Sequence, residues 1–360
     1  MPDPVILQGD CLEVLPTLAD NSVDLIATDP PYFKVKGEAW DRQWSTPKGF
    51  LAWLDKVLAE FYRILKPNGS LYLFASPKMA ARVEVLVDER FNVLNRIVWS
   101  KPAFSTKAEM NPKKWQRGFF PTTEHIIFAE HYGADGYAKG EAGYVRKCDE
   151  LRGFVFEPLR SYLDGERLRA GVSKEDINEA LGFRRMGGMA GRHYFSVSQW
   201  QLPTAEHYAK MREAMTNLNH GGEYLRREYE DLRREYEDLR RPFQVTEDVP
   251  YTDVWTFPTV NHYRGKHPCE KPLAMMEHIV RCSSRPGGVV LDAFMGSGTT
   301  GVAAVNLGRS FVGIEQLSHW CDVAMRRITH TPHPLFASND PPRVKDGLEL
   351  FATSEPAPNP

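Results

Sequence analysis

The chain has 360 residues, of which 42% are hydrophobic and 26% charged, as in a soluble globular protein, and no apolar run approaches the ~18 residues that a membrane span requires. Its 45 basic and 47 acidic residues give a net charge of −2, so no global positive field indicates a polyanionic partner. The five cysteines are scattered and include no C-x-x-C pair, which argues against a disulfide framework or a thiolate metal site and favours a reduced, cytoplasmic chain without a bound metal.

Residues 1–130 alternate short apolar runs with one long helical pattern. The apolar runs predict strands at 5–9, 23–28, 69–76, 93–99 and 125–129. A helix is predicted at 47–65, because apolar residues recur there at helical spacing behind Thr46 and Pro47, which suit an N-cap and a first helical position. The triplet Pro67-Asn68-Gly69 is expected to end this helix.

The middle of the chain has a more polar, helical pattern. A capped helix is predicted at 173–181, a glycine-rich turn at 187–191, and one or two helices within 195–215. The sequence EYEDLRR occurs twice in succession, and apolar residues at 4-3-4-3 spacing predict a short coiled coil or helical hairpin: Leu225, Tyr229, Leu232, Tyr236 and Leu239. Helices and turns with arginines between them are compatible with a groove-reading module, and a small helical insert explains them equally well.

The C-terminal part returns to alternating strands and helices. Helices are predicted at 273–284, 299–307 and 318–328, and strands at 288–292 and 311–315. Strands interleaved with helices at both ends of the chain indicate an α/β fold with a mostly parallel, doubly wound sheet. The proline-rich segment 331–360 is expected to be a loose tail.

A glycine-rich motif, GSGTTG at 296–301, lies between a predicted strand and a predicted helix. Glycines at such a junction allow a tight turn and a close approach of ligand to the helix N-terminus. Glu315 ends the next strand, 19 residues after Gly296, where an acid can accept hydrogen bonds from two ribose hydroxyls. No Gly-Lys-Ser/Thr follows, so the motif predicts an adenosine-containing cofactor rather than a nucleoside triphosphate.

The position of this motif in the chain distinguishes between cofactors. A dinucleotide-binding fold needs several more strands after its fingerprint, but only one predicted helix and the tail follow Glu315. The rest of the sheet must therefore come from residues 1–130, which is a circularly permuted order. This order argues against an ordinary NAD-dependent dehydrogenase.

A second motif, Asp29-Pro30-Pro31-Tyr32, follows the predicted strand at 23–28. Two consecutive prolines cannot continue the hydrogen-bond ladder of a strand, so this loop is stiff and projects from the sheet. It offers a carboxylate and a proline carbonyl, both acceptors, beside an aromatic ring. That combination suits a planar amine with two N–H donors on a heterocycle, and a proline turn with a capping Asp is the alternative.

Four motifs together resemble the motif set of the S-adenosylmethionine-dependent DNA amino-methyltransferases: GDCLEVL at 9–15, DPPY at 29–32, HPCEKP at 267–272 and FMGSGTT at 294–300. The catalytic motif comes first, then an insert, then the cofactor motif, and this order is similar to that of the circularly permuted beta class of the family. The resemblance implies a permuted Rossmann-like methyltransferase fold with a catalytic half at 1–150, a mainly helical target-recognition domain inserted at 151–254, and a cofactor-binding half at 255–330.

The resemblance also implies roles for individual residues. Asp29 and Pro30 would accept hydrogen bonds from the target amine, and Tyr32 would stack on a base flipped out of the duplex. Glu315 would bind the ribose of S-adenosylmethionine and Asp10 its adenine edge. The full set implied to bind this cofactor is Asp10, Lys271, Pro272, Asp292, Phe294, Gly296, Gly298, Thr299, Thr300 and Glu315.

The activity implied is methylation of an exocyclic base amine in double-stranded DNA, in the bacterial nucleoid or by a phage-encoded enzyme. N6 of adenine is favoured, because Asp at the first position of DPPY resembles the adenine enzymes, and N4 of cytosine is the alternative with the same fold and mechanism. A homodimer and a cognate restriction endonuclease remain open as partners.

Other activities are less well supported by the sequence. A thiolate at Cys269, where the family more often has a polar residue, could serve C5-cytosine methylation but would leave DPPY without a use. An RNA or protein amine methyltransferase could share DPPY, but the long helical insert favours DNA. A catalytically idle DNA-binding protein is the alternative from another class.

Candidate DNA contacts lie in basic stretches of the sequence. Residues 96–118 hold six basic residues against one acid. In the insert the candidates are Arg184, Arg185, Arg192, His193, Ser198 and Gln199.

Overall fold

The computed structural model describes residues 4–35, 37–101, 119, 121–131, 156–219, 222–245 and 252–330. The predicted tail and most of the basic stretch at 96–118 lie outside these residues. No helix within the described ranges is long and apolar enough to cross a membrane.

The described residues contain one sheet of eight strands. The strands are β1 (Val5–Gln8), β2 (Val23–Thr28), β3 (Leu65–Ala75), β4 (Asn92–Ser100), β5 (Thr123–Glu130), β6 (Val254–Thr256), β7 (Val289–Asp292) and β8 (Ser310–Glu315). Their order across the sheet is β1-β8-β7-β2-β3-β5-β4-β6.

The helices fall into two groups. Those beside the sheet are α1 (Cys11–Val14), α2 (Pro47–Ile64), α3 (Ala80–Asp88), α9 (Leu273–Ser283), α10 (Thr299–Asn306) and α11 (Ser318–Thr329). Those of the middle segment are α4 (Glu157–Arg169), α5 (Lys174–Ala180), α6 (Met189–His193), α7 (Ala205–Leu218) and α8 (Tyr229–Leu239).

The sheet confirms the predicted permuted order. Strands β7 and β8, from the C-terminal part, lie between β1 and β2 from the N-terminal part, and the pairs β1–β8, β8–β7, β7–β2 and β2–β3 are all parallel. Strand β5 is antiparallel to both of its neighbours, β3 and β4. The sheet is therefore mostly parallel, with one reversed strand.

Apolar side chains cover both faces of this sheet. On one face Phe50, Leu54 and Phe61 of α2 join a buried cluster that also includes residues of α3. On the other face Met275 and Ile279 of α9 join a cluster with residues of α10 and α11. Helices on both faces make the sheet doubly wound, as the sequence predicted.

The helices of the middle segment share a third cluster of buried residues, drawn from residues 156–232. The capped helix predicted at 173–181 is confirmed: Ser173 Oγ accepts a hydrogen bond from the N–H of Asp176, and the Asp176 carboxylate accepts one from the N–H of Ser173. The bounds proposed for the inserted domain remain a prediction, and strand β6 spans the predicted boundary between 254 and 255.

Two predictions for this segment are only partly confirmed. The apolar residues of the repeat pack together into the third cluster as predicted, but within the described residues the repeat forms one helix, α8, and Leu225 precedes it with a left-handed φ of 48°. The glycine-rich stretch 187–191 is only partly a turn, since α6 begins at Met189 behind Gly188.

The N-terminal part needs one correction as well. Helix α2 begins as predicted, with Thr46 accepting a hydrogen bond from the N–H of Gly49, but it ends at Ile64. The triplet at 67–69 belongs to strand β3, because a residue before proline is disfavoured in the α conformation and the chain is already extended at Leu65. Helix α3 and strand β6 were not predicted.

Candidate active site

The two sequence motifs meet where β7 and β2 lie side by side. From β2 the chain continues through α2 to β3 on one side, and from β7 it continues through α10 to β8 on the other. Because these two connections lead to opposite sides, a crevice opens between them at the carboxyl ends of the strands, where α/β proteins bind ligands. Thr28 Oγ1, at the end of β2, donates a hydrogen bond of 2.7 Å to Asp292 Oδ1, at the end of β7.

A cavity of about 840 Å³ opens at this point. Most of the residues proposed from the sequence line it: Asp10, Asp29, Pro30, Tyr32, Lys271, Asp292, Phe294, Gly296, Thr299, Thr300 and Glu315. Pro272 and Gly298, which were expected to contact the cofactor, are not among its lining residues. Pro272 instead precedes α9 as its N-cap residue.

The glycines of the motif serve different purposes. Gly296 has a φ of +50° and lines the cavity, and a Cβ there would lie 2.9 Å from the His267 ring. Gly298 has a φ of +80°, and a Cβ there would lie 2.8 Å from Cβ of Ala324 in α11. Gly298 therefore lets the turn pack against α11, which explains its presence without a ligand contact.

Asp292 holds the turn from within the protein. Its Oδ1 accepts hydrogen bonds from Thr28 and from the N–H of Phe294, and its Oδ2 accepts one of 2.6 Å from Thr300 Oγ1. Burial raises the pKa of Asp292 to about 6, against the effect of these donors. Because its donors come from the end of β2, from the turn and from α10, Asp292 holds these three elements together and supports the shape of the site.

Two acids that line the cavity, Asp10 before α1 and Glu315 at the end of β8, are held by backbone N–H groups. Glu315 Oε2 accepts from Gly296 at 3.1 Å and Oε1 accepts from Leu317 at 2.9 Å, and burial raises the pKa of Glu315. Asp10 Oδ1 caps α1 through the N–H of Leu12 at 2.8 Å. Each carboxylate oxygen keeps a second lone pair for a ligand hydroxyl or amine.

These residues fit an adenosine-containing cofactor. The hydroxyl of Thr299, at the N-terminus of α10, is buried in the cavity wall and has no hydrogen-bond partner within the described part of the chain. A Cβ at Gly296 would narrow the cavity against His267. A buried, unpartnered donor, a close backbone approach and the carboxylate of Glu315 together provide what a ribose and its substituents require.

The DPPY loop brings a carboxylate into the same cavity. Asp29 Oδ2 forms an ion pair with Lys271 Nζ, which joins the loop to the HPCEKP motif. Asp29 Oδ1 is buried and has no hydrogen-bond partner among the described residues. Burial raises the pKa of Asp29, and the charge of Lys271 opposes this effect. The sequence placed Lys271 with the cofactor, whereas the structure places its ammonium against Asp29.

Asp41 fixes the shape of the DPPY loop, and the sequence analysis missed it. This fully buried residue accepts hydrogen bonds from the N–H of Tyr32 at 2.7 Å and from the N–H of Val35 at 2.6 Å. Between them Phe33 and Lys34 have left-handed φ values of 63° and 62°. Because such a conformation is costly for residues other than glycine, the contacts of Asp41 offset strain beside the site.

Glu124 is the second residue that the sequence analysis missed. Its Oε2 accepts a hydrogen bond of 3.0 Å from Tyr32 Oη and lies 3.5 Å from Lys271 Nζ, and its Oε1 forms an ion pair with Lys101. Burial acts to raise the pKa of Glu124, but the two lysine ammoniums outweigh it and lower the pKa to about 2. No local motif marks Glu124, because its partners are distant in the chain.

The candidate DNA contacts lie in the helical segment, and none of them is among the residues that line the cavity. Arg184, Arg192 and Ser198 are exposed, while Arg185 pairs with Asp176 and Glu179. The remaining two candidates contact each other, since Nδ1 of His193 lies 2.9 Å from the carbonyl oxygen of Gln199. His193 and Gln199 thus contribute to the shape of this segment.

No group of three or more His, Cys, Asp or Glu side chains in the part of the chain that the structure describes could hold a metal ion.

The α/β crevice thus combines a glycine-rich turn with an acceptor-bearing proline loop, the arrangement that the sequence motifs predict for an amino-methyltransferase. Residues 23–326 match the family model described as DNA methylase, which comprises the N6 and N4 methyltransferases. The chain therefore belongs to this family, and the predictions of DNA methyltransferase activity and of S-adenosylmethionine as cofactor are confirmed.

Similar proteins span nearly the whole chain. The DNA adenine methyltransferase YhdJ of Escherichia coli is 26% identical over 91% of this chain and 83% of its own length. The type II methyltransferase M2.MboI of Moraxella bovis is 24% identical over 89% of this chain and 86% of its own. The solved structure of PvuII DNA methyltransferase, described as cytosine-N4-specific, covers 91% of this chain and 86% of its own with 12% identity and a TM-score of 0.51, and confirms the fold.

Proposed function

We propose that this protein methylates the N6 amine of adenine in double-stranded DNA, with Asp29, Pro30 and Tyr32 acting on the flipped-out base. The observation that carries the proposal is the buried, unpartnered Oδ1 of Asp29 in the wall of the cavity. Adenine is favoured over cytosine because the relative YhdJ is named as an adenine methyltransferase.

The chemistry requires two acceptors at one point. An exocyclic base amine is a weak nucleophile, because its lone pair is delocalised into the ring. Asp29 Oδ1 and the carbonyl of Pro30 can each accept one N–H, which holds the nitrogen toward tetrahedral geometry and localises the lone pair. Lys271 holds the other oxygen of Asp29, so the orientation of the carboxylate is set before the base arrives.

The cofactor supplies an electrophilic methyl group on a sulfonium centre. Glu315 and Asp10 would accept hydrogen bonds from its adenosine, and Thr299 would donate to it. Phe294, whose ring lies 5.7 Å from that of Trp53, would close the apolar wall of the cavity. The protein thereby contributes alignment and preorganised hydrogen bonds to the transfer.

Tyr32 provides a surface for the flipped base. Its ring lines the cavity, and Lys271 Nζ lies 5.4 Å from the ring centroid. Removing a base from the duplex costs a few kcal/mol in lost stacking and pairing, which stacking on an aromatic ring offsets in part.

The remaining parts of the chain suggest how DNA is held. We propose that the helical segment 151–254 is the target-recognition domain and that Arg184, Arg185, Arg192, His193, Ser198 and Gln199 lie at its DNA-facing surface. The chain's relative M2.MboI is a type II methyltransferase, which supports the proposal that this protein acts beside a restriction endonuclease. We further propose that the protein forms a homodimer and that it acts on DNA in the cytoplasm, either at the bacterial nucleoid or as a phage-encoded enzyme.

The proposal is tested by incubating the protein with unmethylated bacterial DNA and labelled S-adenosylmethionine, followed by nucleoside digestion and mass spectrometry. We expect N6-methyladenine from the wild type, none from Asp29→Ala, and normal yield from the control Asp55→Ala, which removes an acid paired with Arg90 outside the cavity. N4-methylcytosine would transfer the proposal to the alternative base.

Two other results would overturn the proposed activity. Product from Asp29→Ala at the wild-type rate would remove the catalytic assignment. No methylated nucleoside from wild-type protein that binds both cofactor and DNA would indicate a binding protein without catalysis, or another amine substrate.

A further inference from the structure

We infer that Glu124 is a positioning residue for methyl transfer, which fixes the ring of Tyr32 directly and orients Asp29 through Lys271. The inference rests on the roles proposed above for Asp29 and Tyr32. It adds a residue outside every motif of the chain.

The reversed direction of β5 brings Glu124 to the site. Parallel strands β2 and β3 end at the edge of the sheet where the cavity lies, and antiparallel β5 begins at that edge, with His125 paired to Ala75 at the end of β3. Glu124 is therefore next to the carboxyl ends of β2 and β3 although it stands near the start of its own strand.

Glu124 contacts Tyr32 of the DPPY loop and Lys271, the ion-pair partner of Asp29. One oxygen accepts a hydrogen bond from Tyr32 Oη and lies near Lys271 Nζ, while the other pairs with Lys101. Only 17% of the Glu124 side chain and 9% of the Lys271 side chain are exposed. Low exposure makes each of these charges costly without its partners, so the arrangement holds together as a unit.

Charge balance explains why a carboxylate is needed at position 124. The ammoniums of Lys271 and Lys101 face the carboxylates of Asp29 and Glu124, two charges of each sign. Lys271 Nζ pairs with Oδ2 of Asp29 and also lies 3.5 Å from Glu124 Oε2. The charge of Glu124 therefore helps to hold the ammonium of Lys271 at Oδ2, which leaves Oδ1 of Asp29 to accept the amine.

The hydroxyl of Tyr32 supplies the second argument. The ring is nearly buried, and a buried phenol hydroxyl must find a partner. Because Glu124 accepts from this hydroxyl, the angle of the ring that would receive the base is set by the position of Glu124.

The ionisation of Asp29 offers a readout that a merely structural role would not move. The groups that affect the pKa of the Asp29 carboxyl are Lys271, Glu124 and the Tyr32 hydroxyl, and the charge of Asp29 in turn raises the pKa of Asp292. The Cys269 thiol affects the pKa values of Tyr32 and Lys271. Glu124 raises the pKa of Asp29, so removing its charge lowers that pKa. The acid limb of the pH–rate profile should then move to lower pH.

The test compares Glu124→Gln with the control Glu84→Gln, which removes an acid paired with Arg96 outside the cavity. For Glu124→Gln we expect kcat to fall on the order of tenfold, the value for losing one hydrogen bond to a charged group. The acid limb should move to lower pH, while the cofactor Kd stays within about twofold, since Glu124 is not among the residues that line the cavity. The control should match the wild type in all three.

A second variant keeps the inference testable if Glu124→Gln fails to fold. Tyr32→Phe keeps the ring and removes the hydroxyl that binds Glu124, so kcat should fall several-fold, and combining both changes should cost less than the product of the two. An unchanged acid limb with normal kcat in Glu124→Gln, or normal kcat in Tyr32→Phe, would overturn the inference. The proposed function would stand in that case, provided that Asp29→Ala is inactive.

Discussion

Two glycines with nearly the same backbone conformation allow the packing of the cofactor turn to be measured. Gly298, in the turn before α10, has a φ of +80°, and Gly287, before β7, has a φ of +79°. An alanine at either position pays about 1 kcal/mol for the left-handed conformation. At Gly287 a Cβ would meet nothing within 4 Å, whereas at Gly298 it would lie 2.8 Å from Ala324 Cβ and 3.1 Å from Ala324 Cα.

The difference between the two variants isolates the steric conflict. Because the atoms of Ala324 cannot rotate away, Gly298→Ala must displace the turn or α11, which costs roughly 1–3 kcal/mol beyond the backbone strain. We therefore expect unfolding free energies lower by about 1 kcal/mol for Gly287→Ala and by about 2–4 kcal/mol for Gly298→Ala, measured by urea denaturation. Displacement of the turn also moves Gly296 and Thr299, so the cofactor Kd should rise by about tenfold or more in Gly298→Ala alone.

The reasoning would be refuted if the two variants lost equal stability and bound the cofactor equally well. That result would mean that α11 yields to the added methyl group at no cost. Calorimetric titration with S-adenosylmethionine gives the Kd, and the same protein preparations serve for both measurements.

Four further outcomes follow from the contacts described above. Glu315→Ala should weaken cofactor binding by about tenfold or more, and an unchanged Kd would remove its ribose role. Asp41→Ala leaves two N–H groups of the DPPY loop without their acceptor, so kcat should fall while the cofactor Kd is kept; normal kcat would show that the loop holds its own shape. Burial lowers the pKa of His131 and of His278 to about 4, so neither imidazole should titrate near pH 6.5 when the folded protein is followed by NMR, and a titration midpoint near 6.5 for either ring would contradict this. The DNA Kd should rise steeply with salt despite the net charge of −2, and a flat response would count against the basic stretches as the binding surface.

The sequence predicted the elements whose pattern is decided locally. Strand β2 was predicted to the residue, and α2 to its first residue, because a capping threonine and a proline mark the start. Its end was placed too late, since the extended conformation of Leu65 depends on pairing with Val23 of β2. Helix α3 has valines at alternating positions, 83, 85 and 87, which suit a strand as well as a helix, and only packing decides between them.

The same distinction applies to the site. Asp29 and Glu315 were found because each stands in a short motif whose spacing carries the chemistry. Asp41 and Glu124 were not, because the one acts nine residues from Tyr32 across a left-handed turn and the other 92 residues away across the sheet. No spacing rule links residues that meet only after β5 has reversed its direction.

The permuted order has a consequence for how the site is assembled. The carboxylate proposed to receive the amine belongs to the N-terminal part, while the acids and glycines proposed to bind the cofactor belong mainly to the C-terminal part. Thr28 and Asp292, whose side chains join the two strand ends, are 264 residues apart in the chain. Lys271 spans a similar separation of 242 residues to reach Asp29. Because both contacts lie at the cavity itself, neither half of the sheet forms the crevice alone, and a ligand that binds there stabilises the pairing of β2 with β7 together with its own site.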